Sequence, residues 1–229
     1  MSGKLCVATI LFDASSGKDT HSFSHHYDEE YVERLYRGVK RNLRNEFRFC
    51  LFTEKPRKLG GHIEQYPLTE DPIGYGSMME PFALDEPTII MGLDTVIVGD
   101  ITPLANYCTD LYPLDRPVLV PMDPYKPVRF CNGVQLVPFG RYDLFDAWSK
   151  YKHGDRLRND MLFIRQAEGI ASLDDAFPGQ VISYKVHMLE PVKIRGIDPP
   201  VPADARIVYF HGRPKPHEVK DTWLKKHWR

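Results

Sequence analysis

The sequence lacks an excess of charge of either sign and has no apolar run long enough to cross a membrane. It carries 30 basic and 31 acidic side chains in 229 residues, for a formal net charge of -1. This balance lacks the basic excess that marks nucleic-acid-binding domains by charge alone. The apolar run at residues 5–12 is far shorter than the roughly 18 residues of a membrane span, and no signal-peptide cleavage pattern follows it.

Cysteine is also scarce, and its placement excludes two classes of small domain. The four cysteines are far apart and form no Cys-x-x-Cys motif; they are Cys6, Cys50, Cys108 and Cys131. The sequence therefore fits neither a zinc cage nor a dense disulfide framework. Cys6 and Cys50 lie in apolar, strand-like runs, so we expect both thiols to be buried. Cysteine usage and the missing signal pattern together predict a cytoplasmic protein.

Strand-like apolar runs alternate with amphipathic segments along the chain. The nearly continuous apolar run 5–12 predicts an interior strand of a parallel sheet, and 27–44 predicts a helix that opens with acidic and closes with basic residues. Further strands are predicted at 47–52, 62–66, 88–91, 95–98, 118–121, 133–137, 181–184 and 207–210, and further helices within 74–84, 103–107, 141–151 and 159–167. This order predicts an α/β fold in one domain spanning 1–229.

The stretch 88–100 places one carboxylate where a predicted buried strand ends. Two apolar, β-branched runs flank the junction Gly92-Leu93-Asp94. Ligands of open α/β sheets bind outside the carboxyl ends of the strands, so Asp94 is the first candidate for contact with a ligand or a metal. From this stretch alone, a turn cap explains Asp94 equally well.

Three further polar groups stand at the ends of predicted strands or helices. They are Asn132 with Gly133, Asn159 with Asp160, and His211 with Arg213 and Lys215. Each has a structural explanation of its own: a bulge, a helix N-cap and a basic loop. Together with Asp94 they supply oxygen ligands, an imidazole and two cations, which are the groups that a metal-bridged diphosphate requires.

In this order the motifs resemble those of GT-A-fold nucleotide-sugar glycosyltransferases, in particular the family 8 type and an uncharacterised bacterial and phage branch near it. Segments 79–82 and 93–100 resemble the approach to the family's DxD motif and the residues past it, 131–134 its Asn-Ser/Gly strand, and 159–161 its Gly-Asp-Gln helix start. Segment 209–217 resembles the family's C-terminal His-Gly...Lys-Pro motif, which is the most specific of these.

The resemblance implies a fold and a role for each group. The fold is a GT-A, Rossmann-like domain with a mixed, mostly parallel sheet flanked by helices, in which 1–100 form the nucleotide-binding half and 101–229 the acceptor half that completes the metal site. Asp94 is the surviving DxD carboxylate and, with His211, holds Mn²⁺ or Mg²⁺. Asn132 and Asp160 are the catalytic pair beside the donor sugar. The other donor-binding residues are Thr95, Gly133, Gly212, Arg213 and Lys215, of which Arg213 and Lys215 neutralise the leaving diphosphate.

Two positions depart from the family pattern. Gly92 stands where the first Asp of DxD is expected, and Met78 where related proteins often carry a lysine. A hard divalent cation needs several oxygen ligands, so the loss of one carboxylate leaves a poorer site. Two arrangements remain open: an ion held by the remaining ligands, the diphosphate and water, or stabilisation of charge mainly by Arg213 and Lys215.

The resemblance implies a hexosyl- or pentosyltransferase, retaining at the anomeric carbon, with a UDP-sugar as the default donor. The acceptor is open between a glycan precursor and a modified DNA base. A DNA acceptor would involve the basic tail 223–229, which is also typical of an amphipathic helix with docked tryptophans. Gly92 motivates a rival from another class, a GT-A-like binding or scaffold module without catalysis. A haloacid-dehalogenase-type phosphatase is excluded, because its nucleophilic Asp would fall on Gly92 and the motif lies mid-chain.

Overall fold

A seven-stranded sheet runs through the centre of the computed structural model, which describes residues 4–14, 22–110, 115–151, 159–193 and 197–229. From one edge to the other, and numbered in chain order, its strands are β10 (Ile170–Ser172), β6 (Val118–Val120), β9 (Val134–Val137), β4 (Thr88–Met91), β1 (Leu5–Leu11), β2 (Phe47–Thr53) and β3 (Ile63–Pro67). Strand β9 is antiparallel to both neighbours, β4 and β6, and the other neighbours are parallel. The predicted mixed, mostly parallel sheet is confirmed.

Strand β1 is an interior strand whose seven residues are all buried. It pairs in parallel with β2 on one side and β4 on the other. A strand covered on both faces has no solvent side, which explains why its sequence shows a continuous apolar run instead of alternation. Cys6 and Cys50 are fully buried on β1 and β2, as predicted, and all four cysteines are buried free thiols.

A second, three-stranded sheet joins two distant parts of the chain. It consists of β11 (Val181–Ser183), β12 (Ile207–Tyr209) and β5 (Thr95–Ile97), in that order. Strand β12 is parallel to β11 and antiparallel to β5, and Tyr209 stands opposite Thr95. The segment that follows β12 therefore lies beside the residues that precede β5. We predicted these strands, but nothing in their patterns indicates that they form a sheet of their own.

A small hairpin, β7 (Met122–Asp123) and β8 (Lys126–Phe130), was not predicted. Strand β8 reads Lys-Pro-Val-Arg-Phe and is largely exposed, with Val128 86% exposed. A short strand without a buried face has no apolar run or alternation by which a sequence pattern could reveal it.

Helices cover both faces of the large sheet. They are α1 (Glu29–Asn42), α2 (Thr102–Thr109), α3 (Tyr142–Lys150), α4 (Asp160–Ile164), α5 (Leu173–Ala176), α6 (Glu190–Val192) and α7 (Thr222–His227), with 3-10 helices at Ser22–His26, Tyr75–Leu84 and Pro216–Glu218 and a turn of π-helix at Tyr184–Leu189. Asn159 accepts a hydrogen bond from the Leu162 amide at 2.9 Å, which confirms it as the N-cap of α4. Within the described residues, no helix combines the length and apolar character needed to cross a membrane.

The large sheet separates two apolar clusters. Helices α1 and α2 pack on one face through residues such as Leu35 and Leu104. Helix α3 and the 3-10 helix Tyr75–Leu84 pack on the other, where Met79 and Trp148 are buried. Because the helices bury both faces, polar groups can meet a ligand at the ends of the strands and not on the sheet surface.

Candidate active site

The candidate site is built around the turn that leads from β4 into β5. The Thr95 amide donates to the Gly92 carbonyl at 3.1 Å, and the Gly92 amide donates to the Gly133 carbonyl at 3.0 Å. The Phe210 amide donates to the Asp94 carbonyl at 3.3 Å. These bonds bring the start of β9 and the end of β12 to the same place as Asp94. Three predicted site segments therefore converge, although they are far apart in the sequence.

The Asp94 carboxylate is held by two side chains. The Lys215 ammonium donates to Asp94 Oδ2, and the Tyr27 hydroxyl donates to the same oxygen at 2.8 Å. The Lys215 side chain is only 2% exposed and that of Asp94 15% exposed, and Lys215 Nζ also donates to the Phe210 carbonyl at 3.3 Å. Burial and the Asp94 charge raise the pKa of Tyr27, so its hydroxyl stays protonated and acts as a donor. Asp94 is thus part of a buried ion pair.

Asn132 and Asp160 form a second buried polar pair. The Asn132 side-chain amide donates to Asp160 Oδ2, and the two residues are 8% and 6% exposed. Asp160 is the first residue of α4, placed there by the Asn159 cap. Burial raises the pKa of Asp160 to about 6. Asn132 immediately precedes Gly133, so this pair lies next to the turn that carries Asp94.

The His211 ring is fixed by Ser183 at the end of β11. Ser183 Oγ lies 2.7 Å from His211 Nε2 and also accepts a hydrogen bond from the Val186 amide at 3.2 Å. Because that hydroxyl already accepts one bond, it can donate its own hydrogen to Nε2, which leaves Nδ1 of a neutral ring as the N–H group. The Tyr125 ring from the β7–β8 hairpin stands edge-on to His211, with 5.4 Å between ring centres.

Lys185 also belongs to this site, and the sequence analysis missed it. It lies on the π-helical turn Tyr184–Leu189, directly after β11. A Cβ atom on Gly212 would lie 3.2 Å from Lys185 Nζ, and Gly212 has a φ of +60°, in the left-handed region that favours glycine. Burial, then Lys185, then Lys215 lower the pKa of His211. A cation directly after a predicted strand was the one signal that could have indicated Lys185.

No protein-family model matches the chain, and no curated protein matches it either. Solved structures do match it. The glycosyltransferase GlyE of Streptococcus pneumoniae TIGR4 is 14% identical over 97% of this chain and 59% of its own, with a TM-score of 0.60. An active-site mutant of LgtC is 13% identical over 95% of this chain and 91% of its own, with a TM-score of 0.57. The bifunctional glycosyltransferase WbbM is 8% identical over 97% of this chain and 49% of its own, with a TM-score of 0.56.

This chain has a GT-A glycosyltransferase fold. The likeness confirms the predicted fold class, and at these identities it is a likeness of fold alone. The chain spans about three fifths of the length of GlyE and about half that of WbbM, but most of LgtC. LgtC is described as a galactosyltransferase and has been solved with donor and acceptor sugar analogues.

The groups around Asp94 in this GT-A fold do not fit a metal centre held by the protein. The Asp94 carboxylate is engaged by an ammonium, and Nε2 of His211 is engaged by Ser183. Within the described ranges, no three acidic, histidine or cysteine side chains are grouped so that they could hold a metal ion. Mn²⁺ and Mg²⁺ prefer several oxygen ligands, and the only carboxylate of the turn is already neutralised by Lys215.

Two predicted donor-binding side chains have surroundings that the sequence did not indicate. Arg213 is 55% exposed and forms an ion pair with Glu218, so its charge is already compensated. Thr95 is 1% exposed and its hydroxyl is buried without a hydrogen-bond partner in the described part of the chain. Its side chain therefore cannot reach a ligand in this arrangement. Gly133 and Gly212 both lie at the site, through the bond to Gly92 and the approach to Lys185.

The tail 223–229 of the GT-A domain is docked on helix α1. Trp223 is 8% exposed, and the Trp228 ring lies edge-on to Tyr31 with 5.0 Å between ring centres. The Arg34 guanidinium lies 4.2 Å from the centre of the Trp228 ring, and Arg41 donates to the His227 and Arg229 carbonyls at 2.7 and 3.0 Å. The interpretation as an amphipathic helix with docked tryptophans is confirmed, and these tryptophans are not free to stack on a base.

Proposed function

We propose that this protein transfers a hexosyl or pentosyl group from a nucleoside-diphosphate sugar, with a UDP-sugar as the first candidate. One observation supports this most strongly. Within a GT-A fold, the Gly92 to Thr95 turn is hydrogen-bonded to both Gly133 and Phe210, so a buried acid–amide pair and a cluster of lysines and an imidazole converge at the ends of the strands. These are the two kinds of groups that a sugar and a diphosphate need.

The transfer of a sugar from a diphosphate gives each of these two kinds of groups a role. When the bond between the anomeric carbon and the diphosphate breaks, negative charge develops on the leaving group, and preorganised donors and cations stabilise it best. The neutral His211 ring presents its Nδ1–H as such a donor. Asp160 and Asn132 bind the hydroxyls of the donor sugar through their remaining acceptor and donor atoms.

We propose retention of configuration at the anomeric carbon, following the resemblance to family 8. We also propose a glycan acceptor. The docking of the tail tryptophans and the balanced net charge of -1 both speak against a strand of DNA as the acceptor.

Thermal unfolding with UDP, GDP and their sugars, each with Mn²⁺ and with EDTA, tests the proposal. A ligand at about 100 times its dissociation constant stabilises the folded state by about 2.7 kcal/mol, which raises the midpoint by roughly 5 to 10 °C at this chain length. We expect such a shift with one nucleotide and its sugar. If the midpoint shifts with no member of the panel, that result contradicts the proposal.

A catalytically inactive binding module is the second candidate. It is favoured by Gly92, which removes a carboxylate from the turn, and by the neutralisation of Asp94 by Lys215. The two candidates differ in one measurement. A transferase releases nucleoside diphosphate from its sugar donor in the presence of water or acceptor, whereas a binding module returns the donor intact.

A further inference from the structure

We infer that Lys185 binds the diphosphate of the donor and supplies the positive charge for which a divalent metal ion would otherwise be needed. The inference rests on the proposed function, because it concerns the leaving group of that reaction. Three features of the structure support it: the charges around the Asp94 turn, the approach of Lys185 to Gly212, and the engagement of the nearby acids.

The Asp94–Lys215 pair contributes almost no net charge. The two side chains are in direct contact and largely buried, so the ammonium neutralises the carboxylate. Arg213 is 55% exposed and is engaged by Glu218 in an ion pair at the surface. A nucleoside diphosphate carries at least two negative charges near pH 7, and a compensated pair does not balance them. A further cation is therefore needed, from a metal or from the chain.

Lys185 lies beside the His211 and Gly212 segment, where this further cation is needed. Its ammonium lies close enough to the Gly212 backbone that a Cβ atom there would be 3.2 Å away, and it is a charged neighbour of His211. No hydrogen bond or ion pair engages it among the described residues. Lys185 is half-buried, which strengthens its interaction with an anion relative to an exposed lysine.

Two acids that could compete for this ammonium have other partners. Asp123, whose charge acts on His211, is paired with Arg165 at 3.3 Å. Glu190, five residues after Lys185 in the sequence, accepts a hydrogen bond from the Tyr125 hydroxyl at 3.1 Å. The Lys185 charge is thus left for a ligand at the segment that contains His211 and Gly212. The π-helical turn that carries it is a rare conformation that frequently occurs at functional sites.

Calorimetric titration with UDP, with GDP and with uridine, each in Mn²⁺ and in EDTA, tests this assignment on the wild-type chain. We expect UDP to bind with the same affinity in both buffers. We expect Lys185→Met to weaken UDP about ten- to hundredfold, the effect of one charge-assisted hydrogen bond, and to leave uridine unchanged. Lys185→Arg should retain most of the affinity, and Lys225→Met on the exposed face of α7 is the matched control.

Two results overturn the inference while leaving the proposed function intact. One is UDP binding by the wild-type chain that disappears in EDTA, a result that needs no variant. The other is UDP binding by Lys185→Met at the wild-type affinity. If the wild-type chain binds neither UDP nor GDP in either buffer, the proposed function itself fails and the inference fails with it.

Discussion

The buried pair between Lys215 and Asp94 predicts a large and strongly coupled effect on stability. Among the described residues, replacing Lys215 by Met leaves the Asp94 carboxylate with only the Tyr27 hydroxyl as a side-chain partner. Removing one partner of a buried ion pair typically costs about 3 to 5 kcal/mol. Because Asp94 is 15% exposed and keeps one hydrogen bond, we expect the lower end, about 3 kcal/mol. At this chain length that lowers the unfolding midpoint by roughly 6 to 12 °C.

The double variant Lys215→Met/Asp94→Asn separates the coupling between the two charges from the loss of side-chain packing. Removing both charges leaves no uncompensated ion in the interior, so its cost should be smaller than the sum of the two single variants by at least about 1 kcal/mol. Urea denaturation followed by circular dichroism measures all three free energies. Lys225→Met is the control and should lie within about 0.5 kcal/mol of wild type. Additive single effects, or a cost below about 1 kcal/mol for Lys215→Met, would refute the buried-pair interpretation.

Burial raises the pKa of Asp160 from 3.8 to about 6, so its contribution to stability is present below about pH 4 and lost as the pH rises through 6. Urea denaturation should therefore show Asp160→Asn gaining up to roughly 3 kcal/mol over wild type between pH 4 and 7, and a constant difference would contradict this. Ser183→Ala should lower donor turnover more than donor binding, because the His211 ring loses the group that fixes its tautomer; unchanged NMR shifts of the ring nitrogens would count against that role. The double variant Lys225→Ala/Lys226→Ala should leave donor turnover unchanged, and filter binding at low salt should detect no DNA bound to the wild type. DNA binding by the wild type that is lost in this variant would instead support a DNA acceptor.

Local patterns predicted most of the elements, because their causes are local. The apolar run of β1 reflects the burial of that strand, and the charge distribution of α1 reflects the helix dipole. Both causes act within a few consecutive residues. The N-cap at Asn159 likewise depends on residues that are close in the sequence. For the candidate site, the position after a buried strand was enough to make Asp94 a candidate. The acid–amide contact between Asp160 and Asn132 agrees with the grouping that the resemblance implied.

What could not be predicted depends on pairing between distant segments. Lys215 meets Asp94 across 121 positions of sequence, and only the antiparallel register of β5 and β12 brings them together. For the same reason Lys185 was not identified as a functional residue, because its significance comes from the approach of Gly212. The resemblance assigns Arg213 to neutralising the diphosphate, and its ion pair with Glu218 in the next turn was not predicted. Sequence patterns identify charged side chains well and their pairing poorly.

The release of nucleoside diphosphate from a panel of UDP- and GDP-sugars tests the central claim most directly. The wild-type chain and Asp160→Asn should be measured side by side, in Mn²⁺ and in EDTA. We predict release from one donor by the wild-type chain in both buffers, and release at least tenfold slower by Asp160→Asn, the loss of about one charge-assisted hydrogen bond to the sugar. Donor that binds but returns intact from the wild-type chain in both buffers would contradict glycosyl transfer and leave a binding module.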